Sequence, residues 1–138
     1  MPELDALFEA ASLARSRAHA PYSGFPVGAA VLSETGTVHA GCNVESAAYP
    51  EGNCAETAAI AAMVAAGGRR IRAVLVVGGG DGLVTPCGGC RQRIREFAEP
   101  GTPIHVAGPE GVRRSFTLEE LLPFSFGPDN LARKGQGG

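Results

Sequence analysis

Ile71-Arg72-Ala73-Val74-Leu75-Val76-Val77 is an apolar run of strand length, rich in β-branched residues and lacking the polar alternation of a strand with one wet face. Such a run needs cover on both sides, so it is expected as a buried central strand. On its N-terminal side an Ala-rich helix is predicted from about Cys54 to Ala66, stopping at Gly67-Gly68, where a left-handed cap is expected. On its C-terminal side a glycine cluster, Gly78-Gly79-Gly80-Asp81-Gly82, precedes a helix expected from about Gly88 to Glu99 and ended by Pro100-Gly101. The cluster has the look of a phosphate loop, but no Lys-Ser/Thr follows and no helix opens directly after it, so it reads as a flexible turn.

Further out, Leu4, Leu7, Phe8, Ala11 and Ala14 recur at helical spacing and predict a first helix that ends before Pro21. Val27 to Leu32 and Val38 to Val44 read as two strands joined across Ser33-Glu34-Thr35-Gly36. Glu45 to Asn53, with its Pro and Gly, reads as loop. Ile104 to Ala107 and Val112 to Phe116 flank a Gly-Pro-Glu-Gly turn, and Thr117-Leu118-Glu119-Glu120 is a capping-box pattern opening a short helix to Leu122. Five strands with helices between them imply an α/β fold: a three-layer α/β/α sandwich around a five-stranded mixed sheet. Residues 1–133 are expected to form a single domain, and 134–138 a disordered tail.

With 138 residues, 44% of them apolar, the chain can bury an ordinary core without disulfide staples. Its four cysteines could pair, but two sit in a tight C-x-x-C and the first twenty residues read as an amphipathic helix, so a cytoplasmic location is expected. No stretch approaches the roughly eighteen consecutive apolar residues of a membrane span. A formal charge of −2 and scattered basic residues argue against a nucleic acid polymer, which demands a basic stripe. A small-molecule substrate is the expected partner.

Two short motifs carry the chemistry. Cys54-Ala55-Glu56 opens one predicted helix and Pro86-Cys87-Gly88-Gly89-Cys90 opens the other, so three thiols and a carboxylate stand where helix dipoles favour negative charge. Three protein ligands leave the fourth tetrahedral position of a zinc ion open, as catalysis requires; a structural site would close it. Glu56 follows Cys54 by two residues, close to the metal without being needed as a ligand. A Cys-x-Glu element paired with Pro-Cys-x-x-Cys is the pattern of the zinc deaminases, whose glutamate is the general acid/base.

Together with these motifs, Pro21-Tyr22-Ser23, Phe25-Pro26-Val27-Gly28-Ala29-Ala30, Gly41-Cys42-Asn43-Val44-Glu45, Cys90-Arg91-Gln92, Glu120-Leu121-Leu122-Pro123 and Phe126-Gly127-Pro128 resemble the short, homotetrameric cytidine deaminases, in order, from about residue 3 to residue 131. The resemblance implies one zinc per chain on Cys54, Cys87 and Cys90, with Glu56 moving protons during hydrolytic deamination of cytidine and deoxycytidine in pyrimidine salvage. It implies that Asn43 and Glu45 bond the ribose hydroxyls, that Phe25 packs against the base, and that the Ala55 N–H and Thr85 carbonyl hold the base O2 and exocyclic amine. It implies also that Tyr49 and Phe126 reach into a neighbouring subunit's pocket. The chain departs from the family where Arg commonly follows Cys-Ala-Glu and bonds the thiolates, because Thr57 stands there. Three thiolates on zinc leave a formal charge of −1, which makes bound water less acidic unless something offsets it. The helix dipoles, the Thr57 hydroxyl and Arg91 are the candidates.

Plainer readings exist for each residue. Cys42, in an apolar strand, reads as a small buried hydrophobe, and His19, His39 and His105 lie apart from the motifs and read as structural or exposed. Phe25 and Phe126 could be core residues, Asn43 and Glu45 could simply end a strand, and Glu56 could be a first-turn helix carboxylate. The cysteines could form a structural zinc-binding module. Among enzymes, a deaminase of a modified cytosine nucleoside such as blasticidin S is the rival reading, against which Asn43-Val44-Glu45 favours a plain ribose.

Overall fold

The computed structural model describes residues 2–131; the tail expected at 134–138 lies outside the described residues. Among the described residues, five helices and five strands follow one another as α1 (Pro2–Arg15), β1 (Gly28–Ser33), β2 (Val38–Cys42), α2 (Ala55–Ala65), β3 (Ile71–Val77), α3 (Gly88–Phe97), β4 (Pro103–Gly108), β5 (Gly111–Thr117), α4 (Leu118–Leu121) and α5 (Pro128–Leu131). The strands form one sheet in the order β2-β1-β3-β4-β5, with β3 and β4 parallel and every other pair antiparallel. The run 71–77 is therefore the central strand, as its composition predicts.

Alternation along β1 and β3 feeds two cores. Ala29, Val31, Val74 and Val76 face Ala59, Met63 and Ile94 from α2 and α3, while Ala30, Leu32, Leu75 and Val77 face Leu7 and Ala11 of α1. The result is the expected α/β/α sandwich. Two glycines let the helices close on the sheet. A Cβ at Gly28 would stand 2.0 Å from the Ala11 carbonyl oxygen, and one at Gly41 would stand 2.5 Å from the Ala59 nitrogen.

Helix α2 ends as predicted: Gly67, at φ +99°, donates to the Val64 carbonyl and Gly68 to that of Met63, a Schellman closure. Thr117 caps α4 in a complete capping box with Glu120. The glycine loop at 78–82 is held by its carbonyls, since Arg113 donates to Gly80 and Gly82 at 2.7 Å each. Carbonyls turned inward onto a cation are the opposite of an anion nest.

Three boundaries differ from expectation. Helix α1 stops at Arg15, well short of Pro21, because His19 leaves the helix to pair its backbone with Val44. Strand β2 stops at Cys42, because Val44 also pairs with Asn53 across the following loop. Helix α3 ends at Phe97 rather than Glu99. A 3-10 turn at Tyr49–Glu51 and helix α5 were not expected.

Candidate active site

Cys54 is the N-cap of α2 and Cys87 the N-cap of α3; both are extended in backbone, with no side-chain cap of their own, so their sulfurs are free to face each other. Cys90 follows one turn into α3 and is fully buried. The three sulfurs lie within 4.8 Å of one another, Cys54 and Cys87 at 3.9 Å. Bonds of about 2.3 Å at tetrahedral angles would hold zinc-bound sulfurs about 3.8 Å apart, so the spacing fits the metal; a disulfide would need about 2.05 Å. All four cysteines are free, and Cys42 is half-buried on the edge strand.

The donor set asks for a cation. Burial, and next the neighbouring Cys87, push the Cys54 thiol up, and burial together with Glu56 pushes Cys90 far above the usual thiol range. Burial also opposes ionisation of Cys87, but hydrogen bonds from the Cys90 N–H and thiol outweigh it and carry that group down. Glu56 is 4% exposed, and desolvation raises its carboxyl. Three thiolates and a carboxylate cannot share such a space alone, whereas a dication at their centre makes the arrangement favourable.

The remaining residues expected from the sequence are held in different ways. The Ala55 N–H belongs to the first turn of α2, where helix donors lack intrahelical partners. Thr57 places its hydroxyl 3.8 Å from the Cys90 sulfur. Arg91 donates instead to the carbonyls of Pro86 at 2.7 Å and Leu121 at 2.8 Å, and to the Thr85 hydroxyl at 3.3 Å. Its hydrogen bonds therefore fasten the loop before Cys87, and none of them is given to sulfur.

Asn43 accepts from the Val27 N–H at 2.9 Å and donates to the Phe25 carbonyl at 3.0 Å, holding the chain on which Phe25 stands. Glu45 accepts from the Tyr22 and Ser23 amides at 3.0 Å each and from the Ser23 hydroxyl, which keeps its carboxyl below the usual range, the hydroxyl bond being the largest cause. The Val44–Asn53 pairing ties this segment to the residue before Cys54. A cleft of about 370 Å³ opens there, lined by Tyr22, Ser23, Glu45, Ser46, Tyr49 and Gly52. Phe25, Tyr49 and Phe126 are 42%, 75% and 57% exposed, which removes the core reading for both phenylalanines. Sequence reasoning missed the backbone amides that grip Glu45 and the parallel His19 pairing beneath them; both depend on contacts between distant segments.

An open cation site of three sulfurs beside a buried carboxylate, at one end of an α/β/α sandwich, defines the class of zinc-dependent deaminases. Residues 1–105 match the family described as the cytidine and deoxycytidylate deaminase zinc-binding region. The chain is 41% identical over 130 residues to the cytidine deaminase of Sporosarcina psychrophila, covering 94% of this chain and 96% of that protein. It is 40% identical over 136 residues to that of Mycobacterium tuberculosis, covering 97% and 98%. The crystal structure of cytidine deaminase from Burkholderia pseudomallei superposes with a TM-score of 0.83 at 44% identity, over 88% of this chain and 98% of that one. The protein belongs to the cytidine deaminase family, and its cofactor is zinc.

Proposed function

We propose that the protein catalyses hydrolytic deamination of cytidine and deoxycytidine to uridine and deoxyuridine with release of ammonia. The observation that carries this reading is the zinc-compatible spacing of three sulfurs beside one buried carboxylate. Zinc held by Cys54, Cys87 and Cys90 supplies the Lewis acidity that makes water a nucleophile near neutral pH. Glu56 accepts the first water proton as oxygen adds to C4 of the base and gives it to N3, then takes the second from the new C4 hydroxyl and gives it to the leaving amine. The C4–N4 bond breaks and ammonia departs, leaving the C4 carbonyl of uracil. Burial helps Glu56 in both roles, because a raised carboxyl pKa brings proton uptake and release closer to balance at working pH.

Asn43 and Glu45 bind the ribose hydroxyls in this reading. Each side chain keeps unused capacity, a second N–H on the amide and further lone pairs on the oxygens, beyond the bonds that already orient it. Phe25 packs on the base, the Ala55 N–H meets O2 and the Thr85 carbonyl meets the exocyclic amine. Thr57 and Arg91 support the metal loop from behind. Tyr49 and Phe126 complete a neighbouring subunit's pocket in a homotetramer; their exposure in the single chain is what such a role requires. Residues 1–133 act as one catalytic domain, working in the cytoplasm on salvaged pyrimidine nucleosides.

The test is the loss of cytidine absorbance on conversion to uridine, with blasticidin S in parallel. The wild type should act on cytidine and deoxycytidine. Glu56→Gln should retain about one zinc per chain while losing about a hundred- to ten-thousandfold in kcat. Activity on blasticidin S alone, or a Glu56→Gln variant as fast as wild type, would overturn the reading.

A further inference from the structure

Helix α3 does more than present two sulfurs. Along one stripe it sets Arg91, Gln92 and Arg95, the spacing at which side chains share a helix face. Arg91 donates to the last residue of α4, and Gln92 and Arg95 donate to the segment that follows it. Arg91 bonds the Leu121 carbonyl at 2.8 Å, Gln92 bonds the Phe126 carbonyl at 2.7 Å, and Arg95 bonds the Ser125 hydroxyl at 2.8 Å and the Asp129 carboxylate at 2.5 Å. The Arg95 side chain is only 13% exposed although its partner Asp129 is 72% exposed, so the guanidinium is roofed over by the segment it holds.

Gly127 makes that roof possible. A Cβ there would lie 2.3 Å from the Arg95 Cζ, so the backbone at 127 rests flat on the guanidinium. The Gly127 N–H is in turn capped by the Asn130 side chain at 2.8 Å, which starts α5. The segment carries Phe126 57% exposed, and it is held at that residue by Gln92 on the Phe126 carbonyl and on both sides of it by Arg95 on the Ser125 and Asp129 side chains. A planar fork that bonds two groups at once sets an orientation, which a single point charge does not.

We infer that Arg95 is a positioning residue for the Phe126 ring: it registers the 125–129 segment on the same helix that carries Cys87 and Cys90, so that the ring stands where a nucleoside site needs it. This rests on the role given to Phe126 above. The energetic stake is that of one ordered aromatic contact, about three- to tenfold in binding.

Steady-state kinetics with cytidine on Arg95→Ala, Arg95→Lys, Phe126→Ala and the Arg95→Ala/Phe126→Ala double variant, with zinc content measured for each, tests the inference. Arg95→Ala should raise KM about three- to tenfold, with a much smaller change in kcat and about one zinc per chain. Arg95→Lys keeps the charge but not the fork, and should recover thermal stability more fully than KM. The double variant should be no worse than Phe126→Ala, because both changes remove the same contact. Additive effects in the double variant, or a normal KM in Arg95→Ala beside a raised KM in Phe126→Ala, would overturn the positioning role alone. A normal KM in Phe126→Ala would overturn the role of the ring, and the inference with it.

Discussion

At Thr57 the chain sets a hydroxyl beside the sulfur cluster. The hydroxyl is 3.8 Å from the Cys90 sulfur, a long contact that offers it a weak donor, while Arg91 gives its hydrogen bonds to carbonyls and the Thr85 hydroxyl. In the proposed zinc site, compensation of the negative charge would then fall on Thr57 and on the first-turn dipoles of α2 and α3. Introducing a cation with Thr57→Arg should strengthen zinc retention against a chelator by about tenfold, within the range of outer-layer partners of metal sites. It should also move the acidic limb of the pH–rate profile down, as water on a less negative site ionises more readily. Unchanged retention together with an unchanged profile would show that position 57 has no electrostatic part. The grouping of Cys54, Cys87 and Cys90 was legible in the sequence because it rests on local signals, two N-caps and one turn. The outward bonding of Arg91 was not, since its partner Leu121 is brought in only by the fold.

At the level of elements, periodicity and composition were enough to find every strand, and the glycine and capping signals marked the ends of α2 and α4 correctly. What escaped was nonlocal or short. The early end of α1 follows from a backbone partner at Val44, and the 3-10 turn and α5 are too brief for any period; their prolines, Pro50 and Pro128, were the available signals. One element pair has a pH dependence of its own. His105 on β4 meets the Ser115 hydroxyl of β5 at 2.6 Å, and burial lowers its imidazole below the ordinary value of 6.5. A lowered folded-state value means that the unfolded chain binds the proton first. The stability from the neutral ring is therefore complete above about pH 6.5 and drains as pH falls through the folded value. Thermal unfolding between pH 7 and pH 5 should show a smaller acid loss for His105→Asn than for wild type, the cysteines protonating alike in both. Equal losses would contradict a half-buried neutral imidazole.

For the molecule as a whole, the exposed aromatics point outward from a chain whose own core is already filled. Tyr49 and Phe126 are joined by Phe124, which is fully exposed and stands at φ +52° in the left-handed region that disfavours bulky side chains. Contact with another copy would offset strain at an exposed aromatic, which supports the proposed tetramer. If Phe126 completes a neighbour's pocket, co-expressing Glu56→Gln chains with Phe126→Ala chains creates sites with an intact Glu56 and a borrowed Phe126. At low cytidine the mixture should exceed the average of its parents; activity equal to that average would place Phe126 within its own subunit's site. The catalytic expectations all depend on the metal. The most direct measurement is cytidine turnover before and after chelation, with zinc counted per chain. About one zinc per chain, turnover lost on its removal and regained on its return is the expected result, whereas turnover that survives complete removal of the metal would contradict the account.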